Sequence, residues 1–161
     1  MLNATRTTSR SHRRGGRLGR CSGNAVLDLA FILPILLALT FGAVEYGYAL
    51  FIKHALQGAA REGARAAIVN GATSAIVQQK VDDAMLVAGF PQSKYTRPPT
   101  IETIHNGAIT SGMTAAVAGD GIRVTVQAQW SIIGMDVLPT WLGGIDPTKV
   151  LSGATMMRKE G

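Results

Sequence analysis

The side chains able to do covalent or metal chemistry are few and widely separated. His12, His54 and His105 have no Cys or carboxylate at ligand spacing, so no metal site is expected. Cys21 is the single cysteine, which excludes an intramolecular disulfide. It is no lipid-attachment site either, because Arg20 precedes it and the apolar run comes afterwards. No Ser or Cys stands in a pattern with a matching His and acid, and G-x-S-x-G, phosphate-loop and dinucleotide fingerprints do not occur. Glu102 and His105, three apart on a prospective strand, would point to opposite faces. The chain is therefore expected to be structural rather than an enzyme, with no cofactor. The residue that asks for a chemical explanation is Asp28, a carboxylate inside an apolar stretch.

What must position Asp28 is one long helix. Leu29 to Val44 carries no charged side chain, and apolar character continues through Tyr46, Tyr48, Leu50, Phe51 and Ile52. A helix over 24–52 rises about 43 Å at roughly 1.5 Å per residue, more than the roughly 30 Å of a bilayer core. It is predicted to be a single transmembrane anchor. A cleaved signal peptide would have a shorter apolar core, of about 7–15 residues, although the Ala-rich stretch 55–60 leaves a cut there open. The chain has sixteen Lys and Arg and ten Asp and Glu. Arg6, Arg10, Arg13, Arg14, Arg17 and Arg20 all precede the span, with no acid among them. The net charge of +6 thus belongs to the leader, and the remainder is neutral. Beside an apolar helix this asymmetry predicts a cytoplasmic N-terminus and an external C-terminal part. A nucleic-acid arm is the competing reading of an Arg run. It is set aside because the run abuts the span and holds no aromatic residue, so no nucleic-acid partner is expected.

The two acids on the helix differ. A carboxylate at membrane depth costs about 2.5–3.5 kcal/mol on insertion scales and usually has a partner. Glu45, about 26 Å further on by helical rise, is expected at the opposite interface beside Tyr46 and Tyr48. Asp28 has no such outlet. A cut between Gly23 and Asn24 would create an α-amino group and make Asp28 the fifth residue. Its carboxylate could then pair with the amino terminus of a neighbouring subunit, and the cut would remove the whole basic leader.

A Gly-bounded junction, an acidic fifth residue and a proline a turn or two later resemble a type IV pilin leader. GNAVLDLAFILPILLALTFGAVEYGYALF (23–51), HALQGAAREGARAA (54–67) and LSGATMMRKE (151–160) narrow the resemblance to TadE-like minor pilins, or pseudopilins, of the tight-adherence, Flp-type IVb pilus. The resemblance implies that a prepilin peptidase cuts Gly23–Asn24 on the cytoplasmic side. Asp28 would serve processing and subunit alignment, with Asp where the family usually carries Glu, and Pro34 would be the family's helix-kinking proline. Glu45, Arg61, Glu62, Gly63 and Arg65 would lie in assembly contacts. The implied partners are the membrane, the prepilin peptidase, the major pilin and other minor pilins, and the inner-membrane assembly platform. The implied location is the bacterial inner membrane, single-pass.

The rest of the chain is expected to form an α+β head, giving a leader (1–23), a transmembrane helix (24–52) and a juxtamembrane helix with a small external domain (53–161). Residues 1–12 are polar and expected to be disordered. The first helix should continue to about Val69, since HALQGAAREGARAAIV is rich in Ala. Small residues four apart (Ala38 and Gly42, Ala43 and Gly47, Ala59 and Gly63, Gly63 and Ala67) permit close helix approach, or are chance in an Ala/Gly-rich helix. Arg61, Glu62 and Arg65 also fit a solvated face with a Glu62–Arg65 pair. Thr73 or Ser74 should cap a second helix with Val77, Val81, Ala84, Met85 and Ala88 on one face, leaving Asp82 and Asp83 solvated. Strands are expected at 100–105, before an Asn106-Gly107 turn, at 122–131, where apolar and polar residues alternate, and from about Lys149 to Arg158; 107–121 reads as a loop or weak strand. Residues 132–147, with Met135, Val137, Leu138, Trp141, Leu142 and Ile145 among Gly and Pro, fit a packed loop in preference to a membrane-skimming segment.

Overall fold

The computed structural model describes residues 22–113 and 116–160, with side chains from Ala25 onward. The basic leader, with His12 and Cys21, lies outside the described residues. Two helices and a four-stranded sheet make up the regular structure: α1 (Ser22–Ala67), α2 (Ser74–Val87), β1 (Thr100–His105), β2 (Ala108–Ser111), β3 (Gly121–Gln129) and β4 (Val150–Arg158). A one-turn helix, α3 (Trp130–Ile133), and two 3-10 turns, Gln92–Lys94 and Thr140–Leu142, fill the connections. The chain divides into two units, Met1–Ile35 and Leu36–Gly161. The second is an α+β fold.

The sheet is antiparallel throughout, in the order β2-β1-β3-β4. Asn106 and Gly107 both adopt positive φ (48° and 85°), the backbone that a two-residue hairpin needs to match the twist of its strands. The weak strand allowed at 107–121 is real over Ala108–Ser111 and is held only at the outer edge of β1. Along β3 the expected alternation appears as burial of Ile122, Val124, Val126 and Ala128. Trp130 and Ser131 leave the strand for α3. On the opposite face Arg123 Nη1 lies 3.4 Å from Glu102 Oε2, across the register pair Glu102↔Arg123.

The buried face of the sheet packs on the later part of α1. Ile52, Leu56, Ala59, Ala60, Ala64 and Ala67 are buried there with Val77, Val81 and Met85 of α2 and the inward residues of β3. Helical spacing brings those small α1 residues to one side. Two glycines set the distance of approach. A Cβ on Gly63 would meet Val81 Cγ2 at 2.7 Å and Val124 Cγ1 at 3.2 Å. A Cβ on Gly153, in the middle of β4, would overlap the α1 backbone at Leu56 and Gln57. The helix backbone therefore rests directly on β4, an approach that only a missing side chain allows. α2 starts at Thr73, whose Oγ1 accepts from Ile76 N–H at 3.4 Å, as the capping signal predicted.

Candidate anchoring and assembly site on the long helix

From Ala25 to Phe41 every side chain of α1 is exposed except Ala38, which is half-buried. Helix Ala25–Ala67 is long and apolar enough to cross a membrane, with mean hydropathy 2.3 over its most apolar window. Bulky apolar residues point outward on all sides: Leu27, Phe31, Ile32, Ile35 and Leu39 are each more than half exposed. A surface of this kind is stable against lipid and costly against water. The helix is continuous through Pro34, whose missing N–H leaves the Ala30 carbonyl without its intrahelical partner. Thr40 Oγ1 donates to the Leu36 carbonyl at 2.8 Å, so its polar atom is satisfied within the helix. Asp28 is exposed, and among the described residues no hydrogen bond or ion pair reaches it. Gly23 and Asn24 lie in the backbone of the first turn of α1, and their side-chain surroundings lie outside the described residues.

Glu45, expected beside Tyr46 and Tyr48 at a membrane interface, is not exposed. It is fully buried. Its Oε2 accepts from Leu138 N–H at 2.9 Å, and its Oε1 accepts from Ile145 N–H at 2.7 Å. The loop between α3 and β4 thus folds over the helix and brings two of its backbone N–H groups, at Leu138 and Ile145, onto one carboxylate. Tyr46 Oη adds a third bond, donating to the Gly143 carbonyl at 3.1 Å. Two backbone donors on a charged acceptor are strong hydrogen bonds, and they remove the cost of a bare carboxylate in apolar surroundings. The loop begins to cover α1 near Gly42, where an added Cβ would touch Leu138 Cδ1 at 3.5 Å. The expected span of 24–52 therefore ends in residues that belong to the head: Glu45 and Ile52 are inside it.

The other expected assembly residues divide by burial. Arg61, Glu62 and Arg65 are exposed. Gly63 is buried and receives Val81 and Val124 of its own chain, so its smallness is already used internally. Glu62 and Arg65 do not form the expected pair; the ion pairs among the described residues are Arg97–Asp82, His105–Asp120 and Arg123–Glu102. Glu62 instead lines an open groove of about 530 Å³ between α1 and α2, with Ala55, Gly58, Lys80, Asp83 and Val87. Val87 is 90% exposed on the rim.

Two carboxylates play parts that sequence reasoning missed. Asp82 is buried rather than solvated, and it collects Tyr95 Oη at 2.5 Å, Gln92 Nε2 at 3.2 Å and the Arg97 guanidinium. Burial, then the bond to Asp82, pushes the Tyr95 phenol above its ordinary range. This cluster ties α2 to the turn that leads into β1. Asp120 accepts from Val117 N–H at 2.9 Å and lies 2.6 Å from His105 Nδ1. The Val117 N–H first, and His105 second, hold its carboxyl below the usual range. His105 thus finds an acid that no local spacing announces, across the sheet edge. Among the described residues no three His, Cys, Asp or Glu converge as metal ligands.

Residues 23–65 match the family model described as TadE-like protein. Comparison with curated proteins and comparison with solved structures returned no match. The matched segment opens at Gly23 and runs through the exposed apolar helix, Glu45 and Arg61–Arg65. The match falls on the apolar helix of membrane-spanning length and ends before α2 and the sheet.

Proposed function

We propose that the chain is a single-pass minor pilin (pseudopilin) of a tight-adherence type IVb pilus. In this reading a prepilin peptidase cuts it at Gly23–Asn24, and the freed helix takes part in filament assembly. The leader stays in the cytoplasm, the inner membrane holds the helix, and the head faces outward. The carrying observation is the TadE-like match that begins at Gly23, the residue from which Asp28 counts as fifth. Asp28 supports the same reading: it is a carboxylate on a lipid-facing helix, and none of the described residues partners it. An α-amino group created by the cut on a neighbouring subunit supplies the missing cation. The role is structural rather than catalytic, and the partners are the major pilin, other minor pilins and the inner-membrane assembly platform.

Release of the head by signal peptidase near Ala60 fits poorly. Such a cut would take Ile52, Leu56 and Ala59, all buried, out of the core. Mass spectrometry of the membrane-extracted chain, with and without a co-expressed prepilin peptidase, tests the proposal. The expected product begins at Asn24. A chain still beginning at Met1 beside an active peptidase would count against processing.

A further inference from the structure

The loop 134–145 does more than shield Glu45. Val137, Leu142, Met135 and Trp141 are 39%, 44%, 44% and 82% exposed. Asp136 is the loop's one charged residue. A water-facing loop has no reason to present so much apolar surface. Its position supplies one, because Glu45 and Tyr46 hold it against α1, one turn beyond exposed Phe41 and Leu37. Leu36, Leu37, Leu39 and Phe41 are all exposed, so the loop continues an apolar helix surface. Lipid that covers those residues would reach the level of Gly42–Tyr46, where the loop lies. Irregular backbone is tolerated at that depth when its polar groups are satisfied within the protein. Here the Leu138 and Ile145 N–H groups are satisfied by Glu45.

The geometry points to a second membrane contact: loop 134–145 rests in the interfacial layer of the bilayer, with Trp141 and Leu142 among the lipid glycerol and upper acyl groups. This rests on the membrane reading proposed above. Trp suits this place because its ring is apolar and its N–H polar. Asp136, on the same loop, is exposed, and its charge keeps the loop from sinking below the interfacial layer. The loop then gives the head a lipid contact of its own, besides α1.

The test uses the full chain in phosphatidylcholine–phosphatidylglycerol vesicles whose acyl chains are brominated near the glycerol. Trp130 is fully buried, so the difference between the native chain and Trp141→Phe isolates the Trp141 signal. The expected result is loss of most of that signal in brominated vesicles and little quenching by aqueous iodide. Iodide quenching without bromine quenching, in a chain that resists carbonate extraction, overturns the loop contact and leaves the anchor standing. Protection from both quenchers, relieved by diluting the protein in lipid, assigns the surface to a second copy and also overturns it. A chain that carbonate extracts overturns the membrane reading itself.

Discussion

The two halves of α1 are both apolar, yet they are covered by different things. Between Ala25 and Phe41 the surface is made of Leu, Ile and Phe, and the described chain leaves nearly all of it open. Between Gly42 and Ala67 the helix turns to Ala and Gly on one side, and the sheet, α2 and loop 134–145 close over it. Hydropathy says that both halves need cover. Side-chain volume says which cover, since small residues admit a backbone at contact distance and bulky ones do not. The same division separates the two acids of the helix: Glu45 has two backbone donors from its own chain, and Asp28 has none among the described residues.

The contrast breaks most sharply at Gly153. A side chain there would occupy the space of the Leu56–Gln57 backbone. Overpacking against yielding side chains costs about 1–3 kcal/mol; against a helix backbone, Gly153→Val should cost about 3 kcal/mol or more. Near-UV circular dichroism of the detergent-solubilised chain should show the head unfolding at far lower temperature or failing to fold. Leu33→Ala, in the open half, should leave that transition where it was. Equal shifts would mean that the halves are not separate in energy.

Replacing the two acids sharpens the same division. Glu45→Ala strands the Leu138 and Ile145 N–H groups, each worth about 1–3 kcal/mol when buried without a partner. Because the loop can relax toward solvent, the net loss should be near the lower end, about 2–3 kcal/mol. Hydrogen exchange at those two amides should accelerate most. Asp28→Ala should leave head stability unchanged and instead reduce filament assembly. A head destabilised by Asp28→Ala would show a partner for that residue inside the chain.

Asp82→Asn should have a smaller effect. Arg97 keeps 31% of its side-chain surface in water, so the loss should be about 2 kcal/mol, below the 3–5 typical of a fully buried pair. Denaturant melts would measure it, and protease cutting within 91–97 should increase.

How far the chain could be read beforehand follows from the range of each signal. Thr73, the α2 stripe, Asn106-Gly107 and the β3 alternation are local features, and the elements formed where they indicated. The stretch 24–52 was expected to be all membrane span, yet Glu45 and Ile52 are buried against the head; hydropathy alone could not separate Phe51 and Ile52 from the residues before them. Glu45 was expected at an interface, Asp82 in solvent and Asp120 without a partner, because Leu138, Ile145, Arg97 and His105 are distant along the chain. Leu138 and Ile145 lie far along the chain from Glu45. Tyr95 and Arg97 reach Asp82 only after the chain turns at Pro91. One available sign was the crowding of Gly134, Gly143 and Gly144 around an otherwise apolar loop: a Cβ on Gly134 would strike the Trp130 ring, and one on Gly144 the Leu138 carbonyl. Such glycines mark a segment folded tightly on itself.

The smallest expected effect concerns pH, and it separates the acids once more. Asp120 ionises more readily in the folded chain than its ordinary value of 3.8. A carboxylate of lowered pKa contributes stability that is complete above its unfolded value, and loses it as pH falls through the folded one. The head should therefore weaken on acidification from about pH 4 downward, with Asp120 as one source. Asp120→Asn should lower the melting temperature slightly at neutral pH, and its curve should approach that of the native chain as pH falls below the carboxylate range. Parallel curves down to low pH would mean that Asp120 is not a source of the slope. Asp28→Asn should leave the slope intact, because no described contact of the folded head depends on the charge of Asp28.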